Sequence, residues 1–181
     1  MDAATLTLDL GMDAKAAFHA APCSAVLSPC RLYRYELWRR WSNAPACVFV
    51  GLNPSTADET NDDPTIRKCV GYAKRWGYGS LCMVNLFAFR ATLPKDMLAA
   101  ADPIGPENDA TLKRLAADAG IIIAAWGNDG GHLGRDKAVK AMLPELHCLK
   151  RNKDGSPAHP LYLRGDATPY PLNDKLRHGG E

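Results

Sequence analysis

What this sequence lacks sets the first bounds on it. It has no apolar run long enough to span a bilayer: the longest, Ile121 to Trp126, is six residues, against the roughly 20 that a membrane helix needs. No C-x-x-C pair occurs among the six cysteines at 23, 30, 47, 69, 82 and 148, so neither a zinc ribbon nor a dithiol redox pair is expected. Met1-Asp2-Ala3 lacks the basic stretch and apolar segment of a secretory signal, and a cytoplasmic protein is the expectation. There is no internal repeat and no low-complexity tract. Neither sign of charge dominates, since 22 Lys and Arg against 20 Asp and Glu leave a net charge of +2. That balance permits a nucleic-acid partner without requiring one. No resident metal or organic cofactor is expected, and the sequence does not indicate an oligomeric state.

What is there reads as an α/β chain. At 181 residues, 46% hydrophobic and 23% charged, it can bury a substantial core in one domain. Four short runs are apolar at nearly every position: Cys47 to Val50, Leu81 to Val84, Ile121 to Trp126 and Leu146 to Leu149. Such runs suit strands of a parallel sheet, which helices cover on both faces. Cys47, Cys82 and Cys148 fall inside them and read as reduced core thiols. Between the runs lie helical patterns over Pro64 to Trp76, Asn108 to Ala119 and Arg135 to Leu143. The first has Asp63 as N-cap, Pro64 at its first position, and Ile66, Cys69, Val70 and Ala73 on one face. Leu32 to Trp38 mixes aromatic and charged residues and reads as an antiparallel or edge strand; Thr5 to Leu8 suggests a further short one. Residues 1–25 are otherwise weakly patterned, 26–172 form the α/β domain, and 173–181 make a flexible tail.

In open parallel sheets, ligands bind beyond the carboxyl ends of the strands. Here three of the runs end in glycine, asparagine or both: Gly51-Leu52-Asn53-Pro54, Asn85, and Gly127-Asn128. Asn53 precedes a proline, which biases it to extended geometry; its plainer role is to cap a turn. Asn85 follows four apolar residues, where a carboxamide is costly without partners. Its donor and acceptor could pair a base edge, or tie neighbouring loops together. His159, also held extended by a following proline, could donate a hydrogen bond to charge developing on a leaving group, or be an ordinary loop histidine. Asp58, Asp62 and Asp63 could hold magnesium or act as a base, although Asp63 is explained as a cap and a solvated loop is the simpler account. Arg90 could clamp a phosphate or pair with that acidic loop.

In order along the chain, Tyr33-Arg-Tyr35, Asn53-Pro-Ser-Thr-Ala-Asp58, Asp63-Pro-Thr65, Asn85-Leu-Phe87, Arg90-Ala-Thr92, Asp102-Pro103, Ala125-Trp-Gly127 and His159-Pro-Leu-Tyr162 resemble the domain of unknown function 1643 family of bacterial and phage proteins. Gly51-Leu-Asn-Pro54, Val84-Asn-Leu-Phe87 and His159-Pro-Leu161 more distantly resemble motifs of the uracil-DNA glycosylase superfamily. The four apolar runs and the helices between them imply a three-layer α/β/α fold with a central, mainly parallel four-stranded sheet and extra strands near the N-terminus, and the second resemblance is to a fold of that kind. That resemblance gives Asn53 the task of placing water, Asn85 the base edge and His159 the leaving base, with Leu161 or Tyr162 filling the gap left by a flipped nucleotide. The sequence departs from the pattern in three respects. No aromatic follows Asn53 before Tyr72, residues 58–63 are acidic where a phosphate backbone would pass, and the cysteines do not match the iron–sulfur branch.

The functional expectation is an N-glycosidic-bond hydrolase acting on a base in nucleic acid, DNA ahead of RNA. The alternatives are a non-catalytic module for a base, nucleotide or modified DNA, and a metal-assisted nucleotide hydrolase or transferase. The site is expected to combine Asn53 and His159 with Pro54, Ser55, Asn85, Phe87, Arg90, Trp126, Gly127, Leu161 and Tyr162. Asn53, Asn85 and His159 should line one mainly apolar pocket of roughly 300 Å³ or more, walled by Trp126 and Gly127 and floored by Phe87 or Phe89.

Overall fold

The four apolar runs become four parallel strands at the centre of a larger sheet. The computed structural model describes residues 21–55, 57, 60–143 and 145–173; the strand expected at Thr5 to Leu8 lies outside them. Among the described residues the strands are β1 (Cys23–Leu27), β2 (Arg34–Arg40), β3 (Ala46–Gly51), β4 (Ser80–Asn85), β5 (Ile121–Ala124), β6 (His147–Cys148) and β7 (Tyr170–Pro171). They form one seven-stranded sheet in the order β1-β2-β4-β3-β5-β6-β7. β4, β3, β5 and β6 are mutually parallel, while β1, β2 and β7 attach antiparallel at the two sides. The sheet therefore has seven strands, where four were expected with additions only at the N-terminal side.

Alternation explains why the central runs are apolar throughout. Val48, Val50, Cys82, Val84, Ile122 and Ala124 face one apolar cluster, whereas Cys47, Phe49, Leu81, Met83 and Ile123 face another. Helix α1 (Pro64–Arg75) covers the second face with Ile66, Cys69, Tyr72 and Ala73. There Phe49, Tyr72 and Trp76 stack, with Tyr72 and Trp76 ring centres 5.3 Å apart. The first face is covered by the short α2 (Pro94–Leu98), α3 (Asn108–Asp118) and α4 (Arg135–Met142), through Met97, Leu112, Leu115 and Val139. Cys47, Cys69, Cys82 and Cys148 are all buried and free. Among the described residues no helix is long and apolar enough to cross a membrane.

Of the two expectations for 32–38, the antiparallel one holds and the edge position does not. β2 lies between β1 and β4, and its charged residues Arg34, Glu36 and Arg39 are buried. Two of them are paired: Glu36 pairs with Arg114 and accepts from Trp38 Nε1 at 2.7 Å, and Arg39 pairs with Asp62 at 2.7 Å. Strand β1 begins at Cys23, inside the segment read as weakly patterned.

Connections from this sheet leave an opening at one place. After β3 the chain crosses through α1 on one face to β4; after β5 it passes through α4 on the other face to β6. Helices diverging to opposite faces from adjacent parallel strands leave a crevice at the strands' carboxyl ends, where open α/β sheets bind ligands.

Candidate functional site

The crevice is a cavity of about 870 Å³. Gly51, Leu52 and Asn53 enter it from the end of β3, Asn85 from β4, and Ala125, Trp126 and Gly127 from β5. His159 reaches it from a loop that returns over the same rim. That loop is fixed by a Gly127 N–H donating to Pro157 O at 2.9 Å and an Ala158 N–H donating to Lys150 O at 2.8 Å. Gly127 has φ +73°, a conformation that favours glycine and turns the chain at the end of β5. Beyond His159 the segment is pinned to α1, where the Tyr72 hydroxyl donates to Arg164 O at 2.6 Å and Trp76 Nε1 to Ala167 O at 3.2 Å.

The three central side chains differ in what they leave available. Asn53 Nδ2 donates to Pro54 O at 3.0 Å and Ala91 O at 2.9 Å. Both amide hydrogens are thus spent on backbone carbonyls, and Oδ1 is the acceptor left to a ligand or water. Asn85 is only 3% exposed, and its Nδ2 is buried without a partner. A Cβ on Gly51 would sit 2.8 Å from Asn85 Oδ1, so glycine there makes room for this amide. The backbone at Asn85 is held separately: Asn108 Nδ2 donates to Asn85 O at 3.0 Å and Leu86 O at 2.9 Å, and Arg135 Nε to Leu86 O at 2.8 Å.

His159 Nδ1 accepts from the Leu161 N–H at 3.3 Å, capping the single turn Pro160–Tyr162. That bond leaves the proton on Nε2, which makes the ring a neutral donor. Burial pushes its pKa below the ordinary histidine value, and the Asp63 carboxylate pulls the other way. Tyr162 lines the cavity at its lip, 84% exposed, with its ring 5.7 Å from the imidazole.

Other expected site residues are placed differently. Ser55 lines the cavity; Pro54 and Leu161 do not. Phe87 is buried against His132 in the core and Phe89 packs edge-on to Tyr33, so neither forms the floor. The chain has left β4 by Phe87, and Met83 and Ile66 take that place. Arg90 points elsewhere, donating to Arg31 O at 3.1 Å. Nor is the lining mainly apolar, because Arg34, Asp63, Asp129 and Lys150 contribute charge. Among the described residues no three of His, Cys, Asp and Glu cluster as metal ligands would. Asp62 is engaged with Arg39 and Asp63 caps α1 through Ile66 N–H at 2.8 Å. Asp58 lies outside the described residues.

Two residues that sequence reasoning did not single out stand out here. Asn108 holds the backbone at Asn85 from α3. Arg34, at the start of β2, lines the cavity while only 3% exposed. Its Nη1 donates to Ala57 O, its Nε is buried without a partner, and burial lowers its pKa to about 10. An isolated arginine beside two tyrosines carries no spacing signal; only its burial reveals it.

The family described as "Protein of unknown function (DUF1643)" matches residues 34–161. The chain belongs to this DUF1643 family. Its matched span opens at Arg34 and closes at Leu161, so the DUF1643 region contains Arg34, Asn53, Asn85 and His159 together. Neither curated proteins nor solved structures give a match.

Proposed function

We propose that this DUF1643 chain is a hydrolase of N-glycosidic bonds, acting on a flipped base, modified bases included, in nucleic acid in the manner of the uracil-DNA glycosylase superfamily. The observation that carries the reading is the meeting of Asn53, Asn85 and His159, from three separate segments, in one cavity. Asn85 Nδ2 is a buried donor that a base edge would satisfy. Departure of the base is dissociative, so a modest water-positioning group is enough once the leaving anion is stabilised. Asn53 Oδ1 would accept from the attacking water, and His159 Nε2–H would donate to the departing base. Tyr162, exposed beside His159, offers the stacking surface that the loop after Asn53 lacks. DNA is the preferred polymer, ahead of RNA and free bases or nucleotides.

The test is incubation with oligonucleotides carrying uracil, hypoxanthine, mismatches and modified bases, followed by alkali. Strand breaks at one of these bases are expected. His159→Ala should lower kcat by about 100-fold to 1,000-fold, the worth of one oriented donor to developing charge, while binding persists. A panel without strand breaks would count against base excision.

One observation favours a second reading, a non-catalytic base- or nucleotide-binding module. Both amide hydrogens of Asn53 hold the loop to Pro54 and Ala91, a structural duty that requires no chemistry. Tight binding of an oligonucleotide with no base released in a single-turnover assay would select this reading.

A further inference from the structure

The described residues include three buried arginines, and only one lacks a carboxylate. Arg39 is 7% exposed and pairs with Asp62 at 2.7 Å; Arg135 is 3% exposed and pairs with Asp109 at 2.6 Å. Arg34, equally buried, has a backbone carbonyl on Nη1 and no partner on Nε. A guanidinium stays charged, and a buried charge is costly unless it is paired. Arg34 is also the one of the three that lines the cavity.

The surroundings suit an oxyanion. Asn85 Nδ2, a second buried donor without a partner, lines the same cavity. So do Pro64 and Thr65 at the start of α1, the positive end of a twelve-residue helix. Of the charges near Arg34, the Asp63 carboxylate acts most strongly and favours its protonated form, while Arg90 and Arg39 act against it. That carboxylate is held in place as the α1 cap, accepting from Ile66 N–H. Asp129 and Lys150 on the lining offset each other in formal charge. Size points the same way, since about 870 Å³ is near the top of the roughly 300–1,000 Å³ of small-molecule sites. That is more than a base alone would fill.

We infer that Arg34 forms a phosphate subsite in this cavity, so that the ligand is a nucleotide bound through its phosphate as well as its base. The subsite deepens the base-recognition reading and rests on it for the base. Phosphate binding is measured without base release, so the two can fail separately. The phosphate could belong to a free nucleotide or to the phosphodiester of a strand.

The experiment uses the full chain and calorimetry with inorganic phosphate, the four common nucleosides, their 5′-monophosphates, and short single-stranded oligonucleotides. The wild type should bind inorganic phosphate. It should also bind a phosphate-bearing ligand about tenfold to a hundredfold more tightly than the matching nucleoside. Arg34→Met, of similar length and uncharged, should remove that gain. A gain with the monophosphate identifies a free nucleotide; a gain with the oligonucleotide alone identifies strand phosphodiester. No gain in the wild type, or one that survives in Arg34→Met, overturns the subsite. Should Arg34→Met fail to fold, the Arg34 Nε–H resonance of the wild type decides. It should shift as phosphate is titrated in, and an unmoved resonance overturns the proposal.

Discussion

Asn53, His159 and Arg34 each have one committed group and one free one, and the committed one sets what the free one can do. For His159, the Leu161 N–H occupies Nδ1 and burial disfavours the cation. The sign of the resulting pH dependence follows. As pH falls through about 6.5 the unfolded chain takes up this proton first, so the folded state loses stability from there down to its own lower pKa. The thermal midpoint of the wild type should therefore fall more than that of His159→Gln on going from about pH 7.5 to about pH 5. Parallel curves would show that His159 is not held neutral. Gly51 makes a different residue-scale case. A methyl there would stand 2.8 Å from Asn85 Oδ1, so Gly51→Ala must displace the amide. Ligand binding should weaken by about tenfold, one lost hydrogen bond to a neutral donor. Unchanged affinity in a titration would remove Asn85 from ligand recognition.

Among the elements, α1 joins fold and site. Its N-cap Asp63 accepts from Ile66 N–H, Pro64 pre-sets the first turn, and both line the cavity. Asp63→Ala should lower stability by about 1 kcal/mol in chemical denaturation. Asp63→Ser should restore most of that, because a hydroxyl also caps, yet the carboxylate that raises the His159 pKa would be gone. The His159 titration, followed by NMR, should then move further down in Asp63→Ser. If it stays where it was, Asp63 acts on the helix alone. This helix was legible in the sequence because capping and periodicity are local signals, and so were the central strands, whose residues alternate between two apolar faces. For β2 the antiparallel reading held, but an edge position stayed open because the partners that satisfy Glu36 and Arg39, namely Arg114 and Asp62, are remote in sequence. Asn53, Asn85 and His159 could be singled out because each stands at a break in an apolar run or before a proline. Arg34 was seen only as the middle of the motif Tyr33-Arg-Tyr35, and nothing in that motif shows that its guanidinium would be buried at the cavity. Phe87 was placed on the wrong side because the direction of a side chain beyond a strand end follows from the loop's hydrogen bonds, not from its spacing.

At the scale of the whole molecule, the sheet's divergence at β3 and β5 creates a cavity that the protein leaves incompletely satisfied. Asn85 Nδ2 and Arg34 Nε are buried there without partners, and such groups lower the stability of the unliganded fold. Asn108, by contrast, donates to two carbonyls, Asn85 O and Leu86 O, the second of which Arg135 Nε also serves. The two asparagines therefore predict opposite outcomes for the same substitution. Asn85→Leu replaces a buried, unpartnered amide with an apolar group of similar shape, and the unliganded protein should be at least as stable as the wild type. Asn108→Leu removes a donor from both carbonyls, leaving Leu86 O with Arg135 Nε, and should cost about 1–3 kcal/mol, chiefly for Asn85 O. Denaturant unfolding of both variants, without ligand, makes the comparison. If Asn85→Leu is the more damaging of the two, Asn85 serves the fold and the cavity loses its claim to be a site kept open for a ligand. If the order is as argued, the stability given up at Asn85 is recovered only when something binds there, and ligand should raise the midpoint of the wild type but not that of Asn85→Leu.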